Sequence, residues 1–196
     1  MWTPASGSCI SMGRVMRIER SFVEPDPVGL GVLLVTALAP LSLEAVVKAL
    51  ANLGAPSWRP VGEVVVGTVE RLLERRLLAE CGAAEAAALA PTAAARLRLP
   101  GMLLALPMSS PSPEVAYKLK VLGLDLLEGA MRAAQLRELS AHWHGVLALW
   151  QGAERRCPCT QPSVRRWMRH NVMLARMEID WLAGIAAQGA GEMAAE

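Results

Sequence analysis

Apolar residues recur through most of the chain at intervals of three and four positions, the spacing of one face of an α-helix. This pattern predicts a first helix over 30–38 and, after the turn at Pro40, a second helix that Ser42 is placed to N-cap. A third helix is expected over 60–76, with Val69 at the centre of its buried face. The first part of the chain is therefore expected to hold three short helices close together.

The segment after the third helix is too short for another helix and predicts a β-hairpin. Leu77–Cys81 would form one strand, Gly82 permits the turn, and 86–89 would return as the second strand. Thr92 then restarts a helix that ends at Pro100-Gly101 or slightly later. Three helices followed by a minimal hairpin are typical of a winged helix-turn-helix domain.

The second half of the chain predicts longer amphipathic helices, over 113–126, over 130–150 and from Ser163 onwards. The apolar strip of the last helix is too wide to be covered by that helix itself, so it must pack against the preceding helices or a second subunit. Tryptophans at helical spacing on such a strip are common at interfaces. The residues predicted to hold a homodimer together are Val164, Trp167, Leu174, Trp181 and Ile185.

These patterns together predict a mainly α fold, in which a winged helix-turn-helix domain with a short β-hairpin wing precedes a C-terminal helical dimerisation domain. A stretch rich in Pro and Ser separates the two. The expected parts are a flexible N-terminal arm over 1–27, the winged-helix domain over 28–106, a linker over 107–111, the dimerisation domain over 112–188 and a disordered tail over 189–196.

Composition agrees with a helical, globular chain. Of the 196 residues 53% are hydrophobic, and the single Tyr and single Phe leave few strand-favouring aromatics. A net charge of +2 does not by itself indicate a nucleic-acid partner, so a basic surface would have to come from local arrangement. The sequence has no phosphate-cradling glycine motif, nucleophile elbow or His-Glu metal helix, so we expect neither catalysis nor a cofactor.

Cysteine usage bears on the compartment. The four cysteines, Cys9, Cys81, Cys157 and Cys159, are scattered, which favours a reducing compartment and a cytoplasmic protein. The alternative is a secreted or envelope protein, because arginines precede an apolar run over 28–39 that ends like a signal-peptide cleavage site. That run is too short to span a membrane, so no membrane partner is expected.

Five segments of the chain carry a resemblance to a known family. They are Leu38-Ala39-Pro40-Leu41-Ser42, 71–80, Leu89-Ala90-Pro91-Thr92, 116–124 and 175–182. In that order they resemble five parts of the PadR-like winged-helix regulators: the turn between the first two helices, the recognition helix passing into the wing, the return into helix, and two stretches of the C-terminal domain. The similarity spans about 30–185.

The resemblance implies a bacterial transcription regulator. It implies a homodimer, held by its C-terminal helices, that presents two recognition helices to successive major grooves of double-stranded DNA and represses a nearby gene. Some relatives sense a small aromatic or cationic effector. Trp143 and Trp150 are the candidate pocket residues here, because flat rings clamp planar or cationic ligands well.

The third helix and the wing depart from the family pattern. Val64 and Val66 stand where the family usually has Thr or Ser and Tyr, and the wing segment 81–88 contains Glu85 and no basic residue. Glutamates on the third helix would also offset much of its positive field. An alternative hypothesis is therefore a winged-helix protein without DNA binding, acting as a protein-interaction or small-molecule-binding module. The predicted DNA contacts are Lys48, Arg59, Thr68, Arg71 and Arg75.

A zinc site is a further hypothesis, because His142, His144, Cys157 and Cys159 are all of metal-ligating types and lie in one short stretch. Histidines two positions apart on a helix point about 200° from each other, so they cannot easily share a metal. We therefore expect no metal site.

Overall fold

The computed structural model describes residues 26–53, 58, 60–82, 87–109, 113–158 and 161–193, with side chains as far as residue 188. Most of this part of the chain is helical, with one two-stranded hairpin. A 3₁₀ turn, Leu124–Leu126, stands between the fifth and sixth helices. The elements are α1 (Pro27–Leu38), α2 (Leu43–Leu53), α3 (Gly62–Glu74), β1 (Leu78–Cys81), β2 (Ala88–Pro91), α4 (Ala93–Ala105), α5 (Pro113–Leu122), α6 (Gly129–Arg156) and α7 (Pro162–Met193).

Helix α1 is the centre of the larger hydrophobic core. Asp26 caps it, since its Oδ1 accepts a hydrogen bond from the backbone N–H of Gly29 at 2.8 Å. The helix is apolar on all sides because α2, α3, α4, α5 and β2 pack around it. Leu30, Leu33 and Leu34 are at most 1% exposed, and each such burial contributes roughly 1.5–3 kcal/mol.

The hairpin is tied to the helices at its base. β1 and β2 are antiparallel, with Cys81 opposite Ala88. Leu41, in the connection between α1 and α2, exchanges two backbone hydrogen bonds with Leu89, of 3.1 and 2.8 Å. Because the helices α1–α3 carry a hairpin joined in this way to the start of α2, this part of the chain has the winged-helix fold that the sequence predicted.

The predicted N-cap at Ser42 is confirmed, and Thr92, where the sequence restarts a helix, is an N-cap as well. The Ser42 side-chain oxygen accepts a hydrogen bond from the backbone N–H of Ala45 at 3.2 Å, and that of Thr92 accepts one from Ala95 at 3.3 Å. Both hydroxyls satisfy backbone donors that a helix start leaves without an intrahelical partner.

Several boundaries differ from the predicted ones. α1 begins at Pro27, inside the expected arm, because Asp26 caps it; residues 1–25 lie outside the described part of the chain. α4 continues through Pro100 to Ala105, held by Leu99 and Leu103, which are buried on either side of that proline. α6 extends past its predicted end at 150 to Arg156, and α7 continues past 188, the predicted end of the dimerisation domain, to Met193. α6 and α7 pack against each other as a long helical pair, which supports the extra turns of α6.

The second half of the chain has a small core of its own. Leu124, Leu139 and Leu182 are at most 3% exposed, and Tyr117 and Trp143 pack around them. α5, α6, α7 and the 3₁₀ turn all contribute to this cluster. Within the described residues, no helix is both long enough and apolar enough to cross a membrane.

Candidate nucleic-acid interface

The side of α3 that faces away from the core is acidic. The buried residues of α3 all point towards α1 or its neighbours. At 100° per residue, the positions opposite them are Glu63, Gly67, Glu70 and Glu74, and the three glutamates are exposed. We call these four positions the acidic face. They would present three negative charges to a molecule that docks on the outer side of α3.

Arg71 lies on a flank of α3, beside the start of α1. Its Nη2 donates a hydrogen bond to Thr68 Oγ1 at 2.9 Å and stands 3.7 Å from Asp26 Oδ2. The Arg71 and Asp26 side chains are 58% and 52% exposed, so the ion pair is screened by solvent and worth at most about 1 kcal/mol. Arg71 is thus held at the edge of α3 and remains open to solvent.

Arg75 and Arg76 follow at the C-terminal end of α3, and both are exposed. Arg76 has φ 56°, the left-handed conformation, and the next residue, Leu77, donates its backbone N–H to the Leu72 carbonyl at 2.8 Å. The Thr92 hydroxyl donates to the Arg76 carbonyl at 2.9 Å. A non-glycine residue in this conformation costs roughly 1–2 kcal/mol. These bonds hold the Arg76 backbone at the junction between α3 and the wing.

The structure places the other predicted DNA contacts differently. Lys48 is exposed on α2, whereas Arg59 lies outside the described residues. Thr68 is only 2% exposed and packs towards Gly29 of α1, where it accepts the bond from Arg71. The prediction that Thr68 contacts DNA therefore has to be corrected, because its hydroxyl is buried and positions Arg71 instead.

Sequence reasoning missed two residues of this region. Arg76 was not singled out because helical spacing cannot locate a residue that has left the helix. Asp26 was assigned to the arm, although a carboxylate before Pro27 is a usual helix start. Together with Arg71 and Arg75, these residues form what we call the basic rim, the three arginines at the end of α3 with Asp26 beside them.

The wing adds no positive charge where it is described. In 78–82 and 87–91 the charged residue is Glu80, which is exposed. Beside α3, a shallow cavity between α1, α3 and α4 has an apolar floor, and its edge carries the charged groups of the rim. Among its lining residues are Leu33, Leu72, Met102, Asp26, Arg71 and Arg75.

The predicted dimerisation residues fall on two faces of α7. Trp167, Leu174 and Trp181 are 54%, 41% and 48% exposed. Ile185, in contrast, packs on the core of its own chain, and Val164 is half-buried on that same side of α7. Val164 and Ile185 therefore lie on the side of α7 that packs along α6, whereas Trp167, Leu174 and Trp181 lie on its exposed side.

The predicted ligand-pocket tryptophans make aromatic contacts. Trp143 stands edge-on to Tyr117 at 5.5 Å between ring centroids, and Trp150 stands edge-on to Trp167 at 4.7 Å. Tyr117 donates a hydrogen bond to Glu178 Oε2 at 2.5 Å. Burial raises the pKa of the Tyr117 phenol well above its ordinary value, and the bond to Glu178 raises it further.

The histidines of the zinc hypothesis have other neighbours. His142 stacks on Tyr117 with 6.5 Å between ring centroids, and His144 Nδ1 lies 3.0 Å from the Ser140 carbonyl oxygen. Cys159 lies outside the described residues. Within the described ranges, no three His, Cys, Asp or Glu side chains come together in a way that could hold a metal ion.

Comparison with known proteins yields distant likenesses to solved structures. No family model matches the chain, and no curated protein matches it. Among solved structures, the Vibrio cholerae virulence activator AphA is similar at 18% sequence identity, with 84% of this chain and 99% of that chain covered and a TM-score of 0.36. A TM-score this low supports no inference, so both fold and function rest on the geometry described above.

Proposed function

We propose that the protein is a dimeric, sequence-specific DNA-binding transcription regulator of the PadR-like type, acting as a repressor. The observation that carries the proposal is the basic rim, where Arg71, Arg75 and Arg76 are exposed at the end of α3 next to the wing of a winged helix. Arginines can neutralise phosphates in this position. The sequence resemblance to PadR-like regulators adds support.

The acidic face of α3 bears on how the protein would recognise a base sequence. Carboxylates can accept a hydrogen bond from the N4 amino group of cytosine in the major groove. We propose that Glu63, Glu70 or Glu74 reads bases in this way while the basic rim holds the phosphates. Affinity for random DNA would then be weak, because the glutamates repel the DNA phosphates. Only a site with cytosines at the right positions would offset this repulsion with hydrogen bonds to the glutamates.

The test is selection of bound fragments from the source genome, followed by affinity measurements at several salt concentrations on the best site. Changing both Arg71 and Arg75 to Ala should weaken binding at least about tenfold and reduce the salt slope by about two. Glu70→Gln should change the base preference more than the salt slope. Arg137→Ala, on α6, is the matched control and should leave both unchanged. A well-folded dimer that shows no salt-dependent DNA binding would refute the proposal.

A second function is favoured by the acidic face itself. A winged-helix module that has lost DNA contact and binds a basic protein segment would also carry exposed glutamates on α3 and no positive charge on the wing. A short arginine-rich peptide is the probe for this function. Peptide binding that disappears when the three glutamates are changed to Gln, together with no DNA binding, would favour the interaction module.

A further inference from the structure

The cavity between α1, α3 and α4 has both apolar and charged walls. Its floor includes Leu33 of α1, which is 1% exposed, and Met102 of α4. Its edge includes the charged side chains of Asp26, Arg71 and Arg75. Sites for small molecules commonly combine an apolar lining with a few polar groups that orient the ligand. The cavity is therefore a candidate ligand site in the winged-helix part of the chain.

The volume of the cavity limits what it can hold. It measures about 70 Å³, whereas an apolar cavity that binds benzene measures about 150 Å³. An aromatic ring is therefore too large for the apolar floor, and a short aliphatic chain is the group that fits it.

The charges at the edge of the cavity do not balance. Asp26 Oδ1 accepts a hydrogen bond from the Gly29 N–H, and Asp26 Oδ2 lies 3.7 Å from Arg71 Nη2. The charges of Asp26 and Arg71 therefore offset each other. The guanidinium of Arg75 is exposed and has no hydrogen-bond or ion-pair partner within the described part of the chain. A carboxylate is the small anion that matches the fork of N–H donors on such a group.

We propose that this cavity binds a short aliphatic carboxylate, with the carboxylate group on Arg75 and the hydrocarbon tail on the apolar floor. This ligand differs in chemistry and position from the aromatic or cationic effector that the sequence resemblance implies. Because Arg75 belongs to the basic rim, the bound carboxylate occupies a guanidinium that the proposed function assigns to a DNA phosphate. This part of the inference rests on the proposed function: the carboxylate and the operator compete for Arg75, and the ligand releases the repressor.

A series of unbranched carboxylates from propionate to octanoate tests the site without DNA. Carbon-13 labelling of the methionine methyl groups allows the Met102 signal to be followed by NMR, once it is assigned by its loss in Met102→Leu. Each methylene that enters the apolar floor should tighten binding about fourfold. Octanoate should bind no better than hexanoate, because the tail then exceeds the cavity, and pentylamine should not bind. An unmoved Met102 signal, or an affinity that rises through octanoate, would overturn the inference.

Variants test the charge and the shape of the site separately. Asp26→Asn keeps an N-cap on α1 and removes the negative charge beside Arg71, so valerate should bind at least about threefold more tightly. Met102→Trp fills the cavity and should weaken valerate binding at least about tenfold. Met131→Trp, at an exposed methionine on α6, is the matched control and should bind valerate as the native chain does. Weaker binding in Asp26→Asn would contradict the charge assignment. The carboxylate series on the native chain decides by itself if Met102→Trp does not fold.

Competition with DNA separates this inference from the proposed function. At constant ionic strength, saturating valerate should weaken operator binding at least about tenfold and lower the salt slope by about one, because one arginine is withdrawn from a phosphate. Operator binding without a shift of the Met102 signal would refute the ligand site and leave the regulator standing. Valerate binding by a chain that binds no DNA would refute the regulator and leave the site standing. Operator binding that stays unchanged while valerate is bound would refute the competition for Arg75.

Discussion

Lys120 is fully buried between the two halves of the molecule. Its Nζ lies 2.6 Å from Glu138 Oε2 on α6, 3.5 Å from Gln135 Oε1 and 3.4 Å from the Leu104 carbonyl oxygen on α4. The Glu138 side chain, in contrast, is 40% exposed. Removing Glu138 therefore leaves a buried positive charge, whereas removing Lys120 leaves a carboxylate that solvent can reach.

We expect Glu138→Ala to lower the free energy of unfolding by about 2–3 kcal/mol, because it leaves the buried ammonium with neutral acceptors only. Lys120→Met should cost less than about 1.5 kcal/mol, since the apolar chain fills the same space and water can reach the remaining carboxylate. Urea denaturation measures both. Equal losses of unfolding free energy in the two variants would mean that burial of the Lys120 charge does not determine the size of the loss.

Gly123 and Gly67 differ in the space that surrounds them for a Cβ atom. A Cβ on Gly123 would lie 2.5 Å from Leu103 Cδ1, and Leu103 is fully buried, whereas a Cβ on Gly67 would meet nothing within 4 Å. We expect Gly123→Ala to destabilise the fold by about 1–3 kcal/mol through overpacking. Gly67→Ala should stabilise it by roughly 0.5–1 kcal/mol, because alanine is the better helix former. Thermal unfolding of both variants would show the contrast; two losses of similar size would contradict it.

At the scale of elements, Tyr117 joins α5 to α7 through its bond to Glu178. It is the only tyrosine of the chain, so an absorbance titration of the phenol reports on this contact alone. The pKa of the Tyr117 phenol is raised in the folded state, so the protonated phenol stabilises the fold below the ordinary tyrosine pKa near 10. This stabilisation is lost as the pH rises above that value.

We therefore expect no phenolate signal near pH 10 in the native protein, and a signal near pH 10 in urea. Tyr117→Phe should be less stable than the native chain at neutral pH, and the difference should shrink above pH 10. Ordinary titration of the phenol in the folded chain would show that the bond to Glu178 does not hold.

Most elements were predictable because their signals are local. The hydroxyls of Ser42 and Thr92 cap helices as their positions in the sequence indicated, and the hairpin follows α3 as expected. The end of α6 was not predictable, because packing on α7 supports turns beyond 150 that local sequence does not demand. Arg76 was missed for a related reason: a left-handed residue interrupts the period by which helices are recognised.

At the scale of the whole molecule, DNA binding and dimerisation should be coupled. A dimer engages two half-sites at once, so the second contact forms at high effective concentration. We expect Leu174→Glu, at an exposed position among the predicted dimerisation residues of α7, to weaken operator binding at least about 100-fold while its helical circular dichroism stays unchanged. Leu97→Glu, at an 84% exposed leucine on α4, is the control and should leave operator binding unchanged. Full operator affinity in a monomeric Leu174→Glu variant would show that a single winged-helix domain is sufficient.

The sequence by itself determined the helical class, the hairpin and the amphipathic faces, because periodicity, caps and turns act within a few residues of the chain. Tertiary structure decided which face is covered. Thr68 carries a hydroxyl that sequence alone would place at a surface, yet contact with α1 buries it, and Ile185 turns to its own core while Trp181 stays exposed. Lys120, on α5, is buried because α4 and α6 supply its partners. Such outcomes depend on contacts between distant segments, which no local pattern contains.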